Sequence, residues 1–194
     1  MKKIGILVLS VAFVSMSFVN PVEVFDGKLS VDVASSKITW KGYKPTGSHI
    51  GTINLISGEL DVKGDNIKGG SFTADMSTIK ESKGNARFEN HMRSKDFFEI
   101  ETFPTSTFEI TNSKKKDGKS IITGNLTIKG ITKEISFPAA ISEDDSSVTL
   151  TSETFQVNRA DFNVKFKSKT FYNDLKDKFI NDDFDLQVTI VAKK

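Results

Sequence analysis

From Lys28 onward the apolar positions recur at every second residue. Leu29, Val31 and Val33 alternate with polar neighbours, and so do Ile38 and Trp40. That spacing is the mark of half-buried strands. Gly42 and the run Lys44-Pro45-Thr46-Gly47 interrupt it. Ile53 and Leu55 resume it, Ser57-Gly58 reads as a turn, and Leu60 and Val62 continue. Lys63-Gly64-Asp65-Asn66 has the composition of a turn. Ile67, Phe72, Ala74 and Met76 make the next strand, with Gly69-Gly70 as a bulge or sharp bend. Further on, Ile122, Gly124, Leu126 and Ile128 alternate, and Lys129-Gly130 turns the chain. Ile131, Ile135 and Phe137 follow, with Lys133 intruding on the apolar face and Pro138 ending the strand. Val148 and Leu150, Phe155 and Val157, then Phe162, Val164 and Phe166 extend the series. Phe184, Leu186, Val188, Ile190 and Ala192 form the longest unbroken alternation.

One stretch departs from this rhythm. His91 to Ile110 begins helical and ends as a strand. Phe88 and Met92 stand four apart and share a helical face. Ser94 is placed to cap a second short turn, with Asp96 near its positive end. Phe97, Phe98 and Phe103 follow, Pro104 fixes the backbone, and Phe108 and Ile110 resume strand spacing. Asn173 to Lys178 has room for one more helical turn.

Eight or so strands at hairpin spacing, with a single helical insert, define an all-β antiparallel chain. The βαβ rhythm of a parallel sheet is absent. A chain of this kind manages its edges either by closing into a barrel or by folding as a sandwich. The glycines inside strand patterns (Gly58, Gly69, Gly70, Gly124) favour a strongly curved sheet.

Composition sharpens the picture. The 194 residues hold 16 Phe against 2 Tyr and 1 Trp. Phe carries no polar group, so this set suits a dry interior: either a plain core or an apolar ligand cavity. The chain has no Cys, which removes disulfides, thiol chemistry and Cys-ligated metals together. Met1 to Val19 has the form of a secretory leader, with Lys2 and Lys3 before an apolar run. The expected division is a leader over 1–20, a linker over 21–27 and one barrel domain over 28–194, in a periplasmic or secreted protein. Without Lys2 and Lys3 the basic and acidic residues balance, which argues against nucleic acid as a partner. Lys114-Lys115-Lys116 before Asp117-Gly118 reads as a solvated hairpin tip.

Several blocks, in order, carry a family resemblance. They are Trp40-x-Gly42 with Gly47-Ser48-His49 and Gly51, Gly58-Glu59-Leu60, Phe72-x-x-Asp75-Met76, His91-x-x-Ser94-x-Asp96-Phe97-Phe98 with Phe103-Pro104 and Phe108, Leu126 to Lys133, and Asn158-Arg159-x-x-Phe162. Together they span about Leu29 to Lys193 and resemble the YceI-like family, the lipocalin-like polyisoprenoid-binding proteins. The resemblance implies an eight-stranded lipocalin-like barrel whose pore holds a long apolar molecule, in a periplasmic binding protein that is not an enzyme.

The candidate ligand contacts are Trp40, His49, His91, Phe97, Phe98, Phe103, Phe108, Arg159 and Phe162. His49 and His91, the only two histidines, read either as hydrogen-bonded ties for loop backbone or as contacts for a ligand headgroup. No H-x-x-x-H, H-x-H or H-E-x-x-H spacing exists for a metal, and no third ligand is apparent. No G-x-S-x-G is present, and the sequence offers neither histidine an evident Asp partner. Arg159 is expected to pair with a carboxylate, since a lone buried charge is costly. No catalytic residue, cofactor or metal is expected beyond a bound isoprenoid or similar lipid. The expected partner is that lipid; transient membrane contact and a homodimer stay open. The rival readings are a barrel enzyme using His91 or His49 as base on a small apolar substrate, and a packed stress-response module with no ligand.

Overall fold

The computed structural model describes residues 25–64 and 66–194; the expected leader lies outside the described residues. Among these residues ten strands run in chain order: β1 (Asp26–Val31), β2 (Lys37–Lys44), β3 (Gly47–Lys63), β4 (Asn66–Glu81), β5 (Thr105–Lys116), β6 (Lys119–Ile128), β7 (Ile131–Glu143), β8 (Ser147–Ser152), β9 (Phe155–Asn158) and β10 (Asp183–Lys193). Among the described residues a single α-helix, α1 (Ala86–Arg93), stands between β4 and β5, and short 3-10 turns cover Arg159–Phe162 and Lys176–Lys178.

Each strand pairs antiparallel with the next from β2 to β8, and β8 then pairs with β10, which returns to β2. The result is a closed ring of eight strands with no open edge among them. β9 extends the wall by pairing with the first half of β10, and β1 bridges β3 and β10 at one end. Barrel and sandwich were both compatible with the alternation; the β8–β10 pairing decides for the barrel.

The barrel's two ends differ. At one, Leu60, Val62, Val148 and Ala192 are fully buried in a continuous core beneath β1. The other carries the β2–β3 tip, α1 and the segment 159–182. Asn85 caps α1 by accepting the Phe88 N–H through its side chain at 3.1 Å. Arg93 ties the helix to β4, donating to the Ser77 and Ile79 carbonyls at 3.0 and 2.7 Å. Met92 is buried and Phe88 packs beside it, as their spacing required.

Several local expectations are corrected. Ser57-Gly58 is no turn but lies within the 17-residue β3. A register shift between Leu55 and Ser57 lets the strand bend without leaving the sheet. β2 likewise runs through Gly42 to Lys44, which pairs with Gly47, leaving Pro45-Thr46 as the turn. The bulge near Gly69 falls at Lys68, between the Asp61–Gly69 and Val62–Ile67 pairs. Pro138 does not end β7. Its carbonyl accepts the Glu153 N–H beyond the end of β8, and its missing N–H faces the same side, so the β6 ladder loses nothing. Ser94 does cap a short turn, its hydroxyl accepting the Asp96 N–H at 3.3 Å and its carbonyl the Phe97 N–H at 3.0 Å, and it is also the C-cap of α1. Phe162, Val164 and Phe166 are not a strand, because Asn163 and Lys167 adopt left-handed backbone at φ 59° and 51°. The tips at Asp117-Gly118 and Lys129-Gly130 are two-residue turns with both residues at positive φ.

Candidate ligand-binding site

Alternation along eight closed strands sends every second side chain inward. Ile38, Leu55, Phe72, Phe108, Leu150 and Val188 are among those that meet there. They do not fill the barrel. A cavity of about 640 Å³ runs between them and opens at the α1 end, where the exposed Lys44, Thr46 and Lys178 form part of its wall. That volume lies within the range of small-molecule sites.

An aromatic collar surrounds the open end. Phe88 from α1 stacks on His49 at 4.2 Å between ring centres and lies 6.1 Å from Trp40. On the other side His91 meets Phe166 edge-on at 4.5 Å and Phe97 at 5.8 Å, and Phe97 touches Phe98. Deeper, Phe108, Phe137 and Phe155 form a second stack, the last two parallel at 4.3 Å. Trp40 can lie flat on β3 only because residue 51 is glycine: a Cβ there would stand 2.5 Å from its ring.

Seven of the sequence-derived candidates therefore line one cavity: Trp40, His49, His91, Phe97, Phe98, Phe108 and Arg159. Phe103 and Phe162 do not. Phe103 packs outside the cavity against the Gly130 turn, and Phe162, 1% exposed, is part of the wall's own core. Phe88, Phe155, Phe166, Phe179 and Phe184 line the cavity and were not singled out. Phe155 and Phe184 sit on alternating strands, so their inward direction was readable. Phe166 and Phe179 are placed by an irregular segment that no periodicity describes.

The histidines are not the backbone ties one of their readings supposed. Among the described residues neither imidazole hydrogen-bonds main chain; His49 stacks on Phe88, and His91 meets Phe97 and Phe166 edge-on. Each does have a carboxylate nearby, which sequence did not suggest. His49 Nδ1 stands 3.5 Å from Glu81 Oε1, too poorly aligned to count as a hydrogen bond, and His91 Nε2 stands 3.5 Å from Asp96 Oδ2. Glu81 is 5% exposed and accepts the Lys83 N–H at 2.8 Å. Among the described residues no three His, Cys, Asp or Glu side chains gather as metal ligands.

Arg159, 3% exposed, organises the mouth. It donates to the carbonyls of Asn181, Val164 and Ile180 at 3.0, 2.7 and 2.9 Å, which fixes the two ends of the segment 164–181 to each other. Asp182 Oδ1 lies 3.2 Å away, the expected carboxylate partner, and the guanidinium also faces the Phe97 ring at 5.5 Å. Burial lowers its pKa and Asp182 opposes that shift. The side chain stays a cation, with its charge spread over carbonyl dipoles and one carboxylate.

The described chain resembles known proteins in fold and in sequence. A crystal structure of Burkholderia cenocepacia BcnA superposes with a TM-score of 0.71 at 21% identity, covering 84% of this chain and 99% of that one. A polyisoprenoid binding domain from Saccharophagus degradans superposes with a TM-score of 0.67 at 14% identity, covering 87% and 99%. At such identities the likeness concerns the fold. A UPF0312 protein of Photorhabdus laumondii is 37% identical over 78 residues, 34% of this chain and 41% of its own length. The matches to the curated relatives thus span less than half of those proteins. The model of the YceI-like domain, however, matches residues 29–192, nearly the whole barrel, and on that ground the chain belongs to the YceI-like family.

Proposed function

We propose that this protein holds a long apolar lipid, a polyisoprenoid, isoprenoid quinone or similar molecule, in the barrel pore and carries or stores it outside the cytoplasm. The observation that carries the reading is the apolar cavity of about 640 Å³, open at one end and sealed at the other. Burial in such a site contributes roughly 0.8 kcal/mol per methylene, so a prenyl chain binds by length without any specific polar contact. The fold shared with the Saccharophagus degradans polyisoprenoid binding domain supports the same ligand class. The apolar run after Lys2 and Lys3 supports export to the periplasm or beyond.

The packed-module reading requires an interior without a connected void, and the cavity argues against it. An enzyme remains the second reading because His91 has Asp96 at 3.5 Å beside the cavity. Solvent extraction of the purified protein followed by mass spectrometry tests the carrier reading. A prenyl lipid in stoichiometric amount supports it. A protein that neither retains such a lipid nor takes up added ones overturns it. Turnover of a small substrate that is lost in His91→Ala would establish the enzyme instead.

A further inference from the structure

The two ends of the barrel differ in how their lysines are used. At the sealed end five lysines meet carboxylates: Lys28 with Glu59, Lys63 and Lys68 with Asp26, Lys193 with Asp32 and Lys194 with Glu143. At the open end Lys44, Lys165, Lys167, Lys169, Lys176 and Lys178 have no carboxylate within ion-pair distance among the described residues. Three of them sit against rings instead: Lys165 over Phe171 at 5.2 Å, Lys167 over Phe166 at 5.4 Å and Lys169 over Phe179 at 3.5 Å. The segment 165–178 holds five lysines against Asp174 and Asp177. It also exposes large apolar rings, with Phe171 39% and Tyr172 50% accessible. The same segment, with Phe179 directly after it, forms part of the cavity mouth through Phe166, Lys167 and Lys178.

We propose that the segment 165–179, with the β2–β3 tip beside it, docks the cavity mouth onto an anionic lipid bilayer. The proposal rests on the carrier reading and adds where the cargo enters and leaves. Uncompensated cations interleaved with exposed rings complement a surface of negative headgroups over an apolar layer. Lysine stems lie along apolar surface while the ammonium groups reach phosphate. Phe171 and Tyr172 enter the headgroup region, where an apolar ring with or without one hydroxyl is well placed. Docked in this way, the mouth faces the bilayer, and a prenyl chain passes between membrane and cavity without crossing water. Among the described residues the exposed large rings are Phe171 and Tyr172, so the open end is where cations and exposed rings coincide, and that sets the orientation.

The ring closes wholly through described residues, so the chain from Pro21 onward is used, free of the leader. Flotation with vesicles of phosphatidylcholine alone and of phosphatidylcholine mixed with phosphatidylglycerol reads the docking. The expected result is binding to the mixed vesicles only, lost at about 1 M salt, where the screening length falls to roughly 3 Å. Each lysine is worth roughly fivefold near an anionic surface. Lys165→Gln, Lys169→Gln and Lys176→Gln together therefore weaken binding on the order of a hundredfold. The variant Phe171→Ser with Tyr172→Ser weakens it as well. None of these five side chains lines the cavity, so uptake of a short free prenol in vesicle-free buffer is retained, which also shows that the variants fold. Equal binding to both vesicle types, or unchanged binding of the lysine variant, overturns the proposal. Prenol uptake without vesicle binding overturns docking and leaves the carrier reading standing. Vesicle binding without prenol uptake supports docking and removes the carrier reading.

Discussion

The ring of Phe108 lies directly on Gly124 of the neighbouring strand. A Cβ at residue 124 would stand 2.6 Å from Phe108 Cζ and 2.3 Å from the Glu109 carbonyl oxygen. The glycine is therefore a space requirement of a cavity wall. Gly124→Ala is expected to push Phe108 from its place and to cost about 1–3 kcal/mol, the usual range for overpacking. Urea unfolding measures it, and a variant as stable as the parent would contradict this account.

Phe108 and Phe162 should respond differently to truncation. Phe162 is 1% exposed and away from the cavity, so Phe162→Ala is expected to cost about 3–5 kcal/mol. Phe108 already borders empty space and loses fewer contacts. Phe108→Ala, like Phe98→Ala, should weaken prenyl-lipid binding more than it lowers stability. Lipid titration beside thermal melting separates the two effects; loss of stability with binding retained in the folded fraction would sink the claim.

Removing Arg159 leaves three carbonyls without their donor and Asp182 without its cation. Arg159→Ala is expected to cost about 3–5 kcal/mol. Arg159→Lys should rescue little, because an ammonium cannot reach three carbonyls in a fixed fork. Hydrogen exchange should show the loss first at the amides of Ile180 and Asn181, which bond to Lys167 and Tyr43. Uniform loss of protection over the whole barrel would argue against a local role.

Two carboxylates make the sealed end sensitive to acid. Asp32 is held at about 2, below the usual 3.8, chiefly by the Lys193 ammonium and then by Ser35. Asp144 is also held at about 2, chiefly by the Ser146 N–H and hydroxyl and the Ser147 hydroxyl. Since each folded value lies below the unfolded one, their contribution is complete above 3.8 and fades as pH falls toward 2. The denaturation midpoint should drop across that window, and Asp144→Asn should flatten part of the drop. A midpoint independent of pH there would refute the assignment.

The barrel was legible where one period ran undisturbed. Phe184 to Ala192 became β10 as written, and the positive-φ tips at Asp117-Gly118 and Lys129-Gly130 fell where composition put them. The misreadings share a cause. Ser57-Gly58, Gly42 and Pro138 look like breaks, yet long barrel strands absorb glycine at bends, and proline where no partner needs its N–H. The cavity's aromatic residues were half legible. Phe97, Phe98 and Phe108 stood out as a cluster, but Phe166 and Phe179 depend on how Arg159 folds the segment around itself. That arrangement is set by tertiary hydrogen bonds, which leave no repeat in the sequence.

β10 pairs with β1, β2, β8 and β9, and it follows all of them in the chain. During synthesis the earlier strands can form hairpins as they emerge, but the wall stays open until β10 arrives. The container therefore does not exist for most of the time its wall is being made. Its apolar inner face is exposed in that interval, and a ligand can be enclosed only after the last strand closes the ring.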